Sequence, residues 1–416
     1  MLKNLIKTPI RFLMTTFGQR FGKLFNRELS RNEIKKILVF QTGGIGDILR
    51  IFPLIEILRD EFPYAKITTL TEYPPDIFKL MKNRNCIDES IRFNFKVTFL
   101  KKMTFLFKLR KSDYDLVINP ARGSGMFECS IITFLIGRKW RVGFIKDGIG
   151  SLYTNKIAFR DNESILKQNI DLLRSIGING NSKDPTIKIE IPIEDLLFAQ
   201  ELIKEAKDKN RITVAVSPTV SNHPELVEWP VGNYIELSRS LIDNKNASII
   251  LLGSEKECEM SSSFEKKLGE KIYFKSLVGK TDLFKACALI KSCDLFVGND
   301  SGLFHIANAL NVPSIGIFGP TSPEQDVSFM NKNVVIIKHK VPCSPCYVHQ
   351  PDFNFKCEYR NKCLTNITVD DAVKATELLI GHKYDDIDYK IPPDLPLPKG
   401  GNKPLFGKEG QGEIFQ

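Results

Sequence analysis

The sequence predicts an α/β protein made of two doubly wound parallel-sheet domains. Strand-like apolar runs alternate with helix-period segments along the first part of the chain. After a polar stretch the same alternation begins again. A length of 416 residues suits two domains of ordinary size, each able to bury its own core. Hydrophobic content of 42% and charged content of 26% are those of a soluble globular chain.

Taken in order, residues 1–35 form a basic amphipathic segment. Leu2, Leu5, Ile6, Ile10, Leu13, Phe17, Phe21 and Leu24 share one helical stripe, with Lys3, Lys7, Arg11 and Lys23 among the polar positions. Pro9 either starts the longer helix or kinks it. Residues 1–36 hold nine Lys/Arg against Glu28 and Glu33, so +7 of the net +10 sits there and only +3 is spread over the rest. Such a helix either lies on an anionic membrane surface or packs on its own domain. Arg11 interrupts any signal-peptide core, and no apolar run reaches the ~20 residues of a membrane span. The expected location is the cytoplasm, in peripheral contact with the inner leaflet of its membrane, with the nine cysteines reduced.

The first domain is placed at 36–185. It opens on a strand at Lys36–Gln41, a loop at Thr42–Asp47, and one helix with Ile48, Ile51, Ile55, Leu58 and Phe62 on its apolar face. Strands are expected at Ala65–Leu70 and Asp115–Asn119, and the turn-rich stretch 179–185 is the best linker. The second domain is placed at 190–385, with strands at Arg211–Ser217, Ala247–Gly253, Asp294–Val297 and Pro313–Phe318. From 390 to 416 a tail rich in Pro and Gly is expected to be disordered.

Chemistry concentrates where strands end. The stretch Val297–Glu324 reads VGNDSGLFHIANALNVPSIGIFGPTSPE, a strand, a small-residue loop, a helix start carrying His305, and a second strand. Backbone N–H groups and the helix dipole converge there on one spot suited to an anion. Ser301 can donate a hydroxyl, Asp300 can accept from a sugar, and Gly298 and Gly302 allow close approach; the plainer reading is a capped βα turn. The earlier loop, Gly43-Gly44-Ile45-Gly46-Asp47, lacks the Gly-Lys-Ser/Thr ending of a P-loop. It also lacks the third glycine of a dinucleotide fingerprint, because Leu49 stands there. Asp47 is either an ordinary helix cap or a general base at the rim of a cleft.

The residues Gly298, Asp300, Ser301, Gly302, His305, Ala307, Ala309, Pro313, Phe318, Gly319, Thr321 and Pro323 resemble the pattern GxDTGxxHxAxAxxxPxxxxFGxTxP, with Ser301 in place of Thr. That is the nucleotide-sugar motif of the heptosyltransferase family (glycosyltransferase family 9). Gly46-Asp47, Pro53 and Phe62-Pro63-Ala65 resemble the same family's GDxxxxxPxxxxLxxxFPxA signature. The resemblance covers roughly residues 36 to 380. It implies a GT-B fold, two Rossmann-like domains facing a cleft, and an inverting, metal-independent glycosyltransferase without a cofactor. It implies Asp47 as the base that activates an acceptor hydroxyl, with Gly46 beside it. Arg122 and Arg141 are candidate acceptor contacts, through bidentate pairing with phosphate or carboxylate, or else surface arginines. Donor binding falls to Ser217, Thr219, Glu255, Lys280, Thr281, Asp300, Ser301, Gly302 and His305. One departure stands out: the family's lysine two residues before Trp229 is Val227 here, leaving Ser217, Thr219, Ser221 or His223 to compensate.

Cys343, Cys346, Cys357 and Cys363 are spaced as a structural zinc set, a disulfide source or simply free thiols. No DxD pair is placed as a metal site. The expected partners are ADP-heptose or a similar nucleotide sugar and a lipopolysaccharide or glycolipid acceptor, with no nucleic acid. The alternatives are a non-catalytic nucleotide-sugar binder on the same scaffold and a transferase using another nucleotide sugar.

Overall fold

The computed structural model describes residues 29–381 apart from 82–83, 96, 123–124, 162, 181–185, 221–223, 269–272, 328–330 and 347–356. The N-terminal stripe, residues 181–185 of the expected linker and the C-terminal tail lie outside the described residues. The chain divides into two units, one running to Ile191 with the short helix Pro323–Asp326 joined to it, the other beginning at Pro192.

Unit 1 is a six-stranded, wholly parallel sheet in the order β3-β2-β1-β4-β5-β6. Its strands are β1 Lys36–Phe40, β2 Lys66–Thr71, β3 Glu89–Arg92, β4 Leu116–Asn119, β5 Trp140–Ile145 and β6 Asn155–Ala158. Helices cover both faces, so the central strands read as unbroken apolar runs: Ile37, Leu38, Val39, Leu116, Val117 and Ile118 are all fully buried. One face packs under the helices Phe99–Lys111 and Met126–Ile136 through Leu106, Leu109, Ile132 and Ile136.

Unit 2 repeats this plan in the order β12-β11-β10-β7-β8-β9, again all parallel. The strands are β7 Ile212–Ser217, β8 Ala247–Leu251, β9 Phe274–Ser276, β10 Leu295–Asn299, β11 Ser314–Phe318 and β12 Val334–Lys338. The repetition reaches individual side chains. Asp115 immediately precedes β4, and its Oδ2 accepts from the N–H groups of Lys35 and Lys36 at 2.9 and 3.0 Å. Asp294 immediately precedes β10, and its Oδ2 accepts from the N–H and hydroxyl of Thr213 at 2.9 and 2.8 Å. At the far ends of the same strands, Asn119 and Asn299 bind neighbouring backbone.

The single helix expected after Thr42–Asp47 is two, Ile45–Leu49 and Phe52–Glu61. Pro53 has no N–H to donate to Leu49, so the ladder cannot run through and the chain restarts at Phe52. Both pieces still bury the expected face, with Ile48, Ile51 and Ile55 inaccessible.

Burial works to raise the pKa of Asp115, but the N–H groups of Lys35 and Lys36 and the Lys139 ammonium outweigh it and hold the carboxyl below its usual value. A depressed native pKa contributes stability above the unfolded value of about 3.9, lost as pH falls through the native one. Asp115→Ala should therefore cost about 1–3 kcal/mol at neutral pH by orphaning two N–H groups. In urea titrations the gap to the parent should narrow below about pH 4; a gap independent of pH would contradict this account.

Candidate functional site

In each unit the two central neighbours, β1 with β4 and β7 with β10, begin connections that run away in opposite directions. The loops leaving their carboxyl ends therefore part, and ligands of open α/β sheets sit at such reversals. The Asp47 loop follows β1 and the Arg122 loop follows β4. Ser217 and Thr219 stand at the end of β7, and Asp300 to His305 follow β10.

In unit 1, Asp47 is folded back on its own loop. Its Oδ2 accepts from the Gly44 N–H at 3.1 Å, and a Cβ on Gly43 would lie only 2.2 Å from that oxygen, so glycine is required there. Its Oδ1 accepts from Arg50 Nη1 at 2.8 Å and Arg122 Nη2 at 3.1 Å. Asp47 thus serves as a cap as well as an ion-pair partner. Arg122 Nη2 also donates to Asp326 Oδ1 at 2.6 Å, and Arg50 Nη2 approaches the same oxygen at 3.3 Å. Arg50 further donates to the Asp326 carbonyl at 2.9 and 3.2 Å. Burial disfavours the charge on Arg122, but the pull of Asp326 and Asp47 exceeds it and its pKa is raised. Side-chain exposure rises along the network, from 4% at Arg50 and 5% at Asp326 to 18% at Arg122 and 24% at Asp47. A carboxylate that reaches solvent while two arginines fix one of its oxygens can accept a proton from a hydroxyl presented to it. Gly46 is buried in the same short helix, its carbonyl accepting from the Arg50 N–H at 3.1 Å.

Sequence reasoning missed Arg50, Asp326 and Tyr73. Burial, with Asp47 and Glu72 nearby, raises the Tyr73 pKa, so the ring lies in the field of the candidate base. Arg141 departs from its expected role. It is the second residue of β5, in register with Val117 and not with the carboxyl-end loop. Its guanidinium donates to the carbonyls of Leu152 at 3.1 Å and Gly137 at 3.4 Å and lies over the Phe134 ring.

In unit 2, Ser301 is the N-cap of the helix Gly302–Ala309, its hydroxyl accepting from the Phe304 N–H at 3.4 Å. His305 Nε2 stands 3.0 Å from Asp300 Oδ1, so both are oriented before any ligand arrives. Gly298 serves the protein's own packing: a Cβ there would meet the Ser217 carbonyl at 2.8 Å and the Phe296 ring at 2.9 Å. Asn299 ties the two loops of the reversal together, donating to the Pro218 carbonyl and accepting from the Trp229 N–H. Ser217 is buried and Thr219 half-buried. Glu255 and Lys280 stand exposed, with half-buried Thr281 beside Lys280. These lie on two further loops, joined by the Gly279 N–H donating to Gly253 at 3.0 Å.

Val227 is 5% exposed, so at this position the chain points into the core. Ser221 and His223 lie outside the described residues. Half-buried Glu228, also missed, accepts from the Val220 N–H at 2.7 Å, and its pKa is raised by burial.

All nine cysteines are free thiols. Burial first, then Cys343, Cys363 and Cys357, pushes the Cys346 thiol up to about 12. Among the described residues no group of three or more His, Cys, Asp or Glu is placed to hold a metal.

The pattern of glycosyltransferase family 9 (heptosyltransferase) matches residues 103–355. Lipooligosaccharide heptosyltransferase 2 of Haemophilus ducreyi is 37% identical over 322 residues, 73% of this chain and 88% of that one. Lipopolysaccharide heptosyltransferase 2 of Salmonella typhimurium is 36% identical over 319 residues, 72% of this chain and 87% of that one. The solved structure of E. coli ADP-heptose lps heptosyltransferase II, 20% identical, covers 83% of this chain and 99% of its own with a TM-score of 0.62. The fold is therefore GT-B, as expected, and the chain belongs to glycosyltransferase family 9.

Asp326→Asn should destabilise unit 1 by about 3–5 kcal/mol in urea unfolding, because it leaves buried arginine charge uncompensated. A loss below about 1 kcal/mol would mean that Asp47 and solvent together suffice to balance Arg50 and Arg122.

Proposed function

We propose that this family 9 glycosyltransferase moves a heptose from ADP-heptose to lipopolysaccharide core or a related glycolipid, with inversion at the anomeric carbon. The likeness to lipopolysaccharide and lipooligosaccharide heptosyltransferases supports the transferred sugar and the acceptor class, and the observation that carries the mechanism is Asp47 at the strand-order reversal of unit 1. The 36–185 region takes the acceptor and the 190–385 region the nucleotide sugar. The acceptor hydroxyl presents its proton to Asp47 as its oxygen attacks the anomeric carbon. The bond from that carbon to the diphosphate breaks from the opposite side, and ADP departs with the electron pair. Backbone N–H groups at Ser301, Gly302 and Leu303, the hydroxyls of Ser217, Thr219 and Thr281, and Lys280 carry the leaving charge without a metal. Asp300, held by His305, and Glu255 accept from sugar or ribose hydroxyls. Arg122 does two things: it orients Asp47 and, at the exposed edge of the network, offers donors to an anionic acceptor.

Two variants separate the halves of this reading. Asp47→Asn should bind ADP normally by calorimetry and lose about 10²–10⁴-fold in turnover. Asp300→Ala should weaken ADP binding. Near-normal turnover in the first would remove Asp47 as base, and unchanged affinity in the second would move the donor site elsewhere.

The charge and apolar stripe of residues 1–35 support peripheral contact with an anionic membrane surface. Among the described residues no helix is long and apolar enough to cross a membrane. Deleting residues 1–30 should leave turnover on a soluble acceptor analogue intact and reduce binding to anionic vesicles, most visibly at low salt. Equal vesicle binding would mean that the segment packs on its own protein.

A further inference from the structure

The helix Phe99–Lys111, FLKKMTFLFKLRK, carries five Lys/Arg and no Asp or Glu. Leu106 and Leu109 bury its inner stripe against the sheet. The opposite stripe holds Leu100, Phe107, Lys108 and Lys111 at i, i+7, i+8 and i+11. Phe99, Leu100 and Phe107 are 74%, 77% and 60% exposed, an unusual cost for a helix with water as its only neighbour.

Beside this stripe a groove of about 840 Å³ runs between the helix and its neighbour Met126–Ile136. Phe107, Phe134 and Leu135 line its apolar part, and Arg110, Arg138 and Lys139 lie among its polar lining. Three cations of this region are paired: Lys102 with Glu128, Arg138 with Asp113, and Lys139 with Glu33 and Asp115. Lys101, Lys108 and Lys111 stand exposed beside the aromatic side chains.

From this juxtaposition we infer that the outer face of Phe99–Lys111, with its groove, is a docking surface for an anionic lipid bilayer. Exposed aromatic and aliphatic side chains enter the boundary between headgroups and acyl chains, while the surrounding lysines meet phosphates. A membrane suits this face because its cations are spread along a helix with no carboxylate among them, matching a laterally uniform negative surface. The inference concerns a surface of unit 1 distinct from residues 1–35, and it is independent of the donor and acceptor assigned above.

The test uses the full chain and co-sedimentation with vesicles of phosphatidylcholine alone or mixed with phosphatidylglycerol. The parent should prefer the mixed vesicles, and the preference should fall as salt rises. Each lysine neutralised should lower partition about fivefold at low salt, so Lys101→Gln, Lys108→Gln and Lys111→Gln together should lower it on the order of a hundredfold. The emission that Phe107→Trp adds to that of the parent should shift to the blue when mixed vesicles are supplied. Turnover on a soluble acceptor analogue should remain at the parent level in both variants, so failure here is distinct from failure of the proposed reaction. The inference is overturned if the triple variant partitions like the parent, which would assign all binding to the N-terminal segment. Unchanged emission from the Phe107→Trp variant on bound vesicles would overturn it too, and would point to a protein partner for this face.

Discussion

In a parallel sheet every strand must be followed by a crossover, and right-handed crossovers leaving two neighbouring strands toward opposite edges cannot fill the space between them. That constraint governs both units. It leaves a reversal between β1 and β4 and another between β7 and β10, each with its loops at the carboxyl edge. The residues with chemical capacity are grouped accordingly. Asp47 and Arg122 come from one pair of loops, and Ser217 and the Asp300–His305 turn from the other. The strands themselves need only be apolar and correctly registered, which is why their sequences say little about function.

Within unit 1, the low dielectric beneath those loops dictates what the side chains do. Arg50 is almost wholly buried and requires a buried counter-charge, which Asp326 supplies with both carboxylate and backbone carbonyl. With one face of the network neutralised in this way, Arg122 can bridge Asp326 to Asp47, and Asp47 is left at the accessible end. The orientation of a candidate base thus follows from packing the charges behind it. Unit 2 uses a smaller version of the same device, in which Asp300 and His305 hold each other across one helical turn.

Local signals make much of this readable in the sequence. The apolar, β-branched runs at 36–40 and 212–217 read as strands buried on both faces, and Ser301 lies where a helix cap belongs. The Asp47 loop stands out because it resembles phosphate loops while failing their requirements. What is not readable depends on distance along the chain. Asp326 is 276 residues from Arg50, and nothing near it announces an ion pair. Arg141 reads as an acceptor contact or a surface arginine because periodicity locates a strand without saying which end of it a side chain occupies. Val227, judged by the lysine it replaces, is a core position. Pro53 does carry a signal for the helix break, masked by the regular spacing of Ile48, Ile51 and Ile55.

The two carboxylates that share the same two arginines also shape how this chain can drift. Arg50, Arg122 and Asp326 are coupled through one oxygen, so the effect of changing any of them depends on the state of the other two. Such a trio is expected to be epistatic. A neutral substitution at Asp326 becomes tolerable only in a background where an arginine has already been lost, and the order of changes decides which intermediates survive. Related sequences should therefore show these three positions covarying as a block, coupled to Asp47, which both arginines also hold.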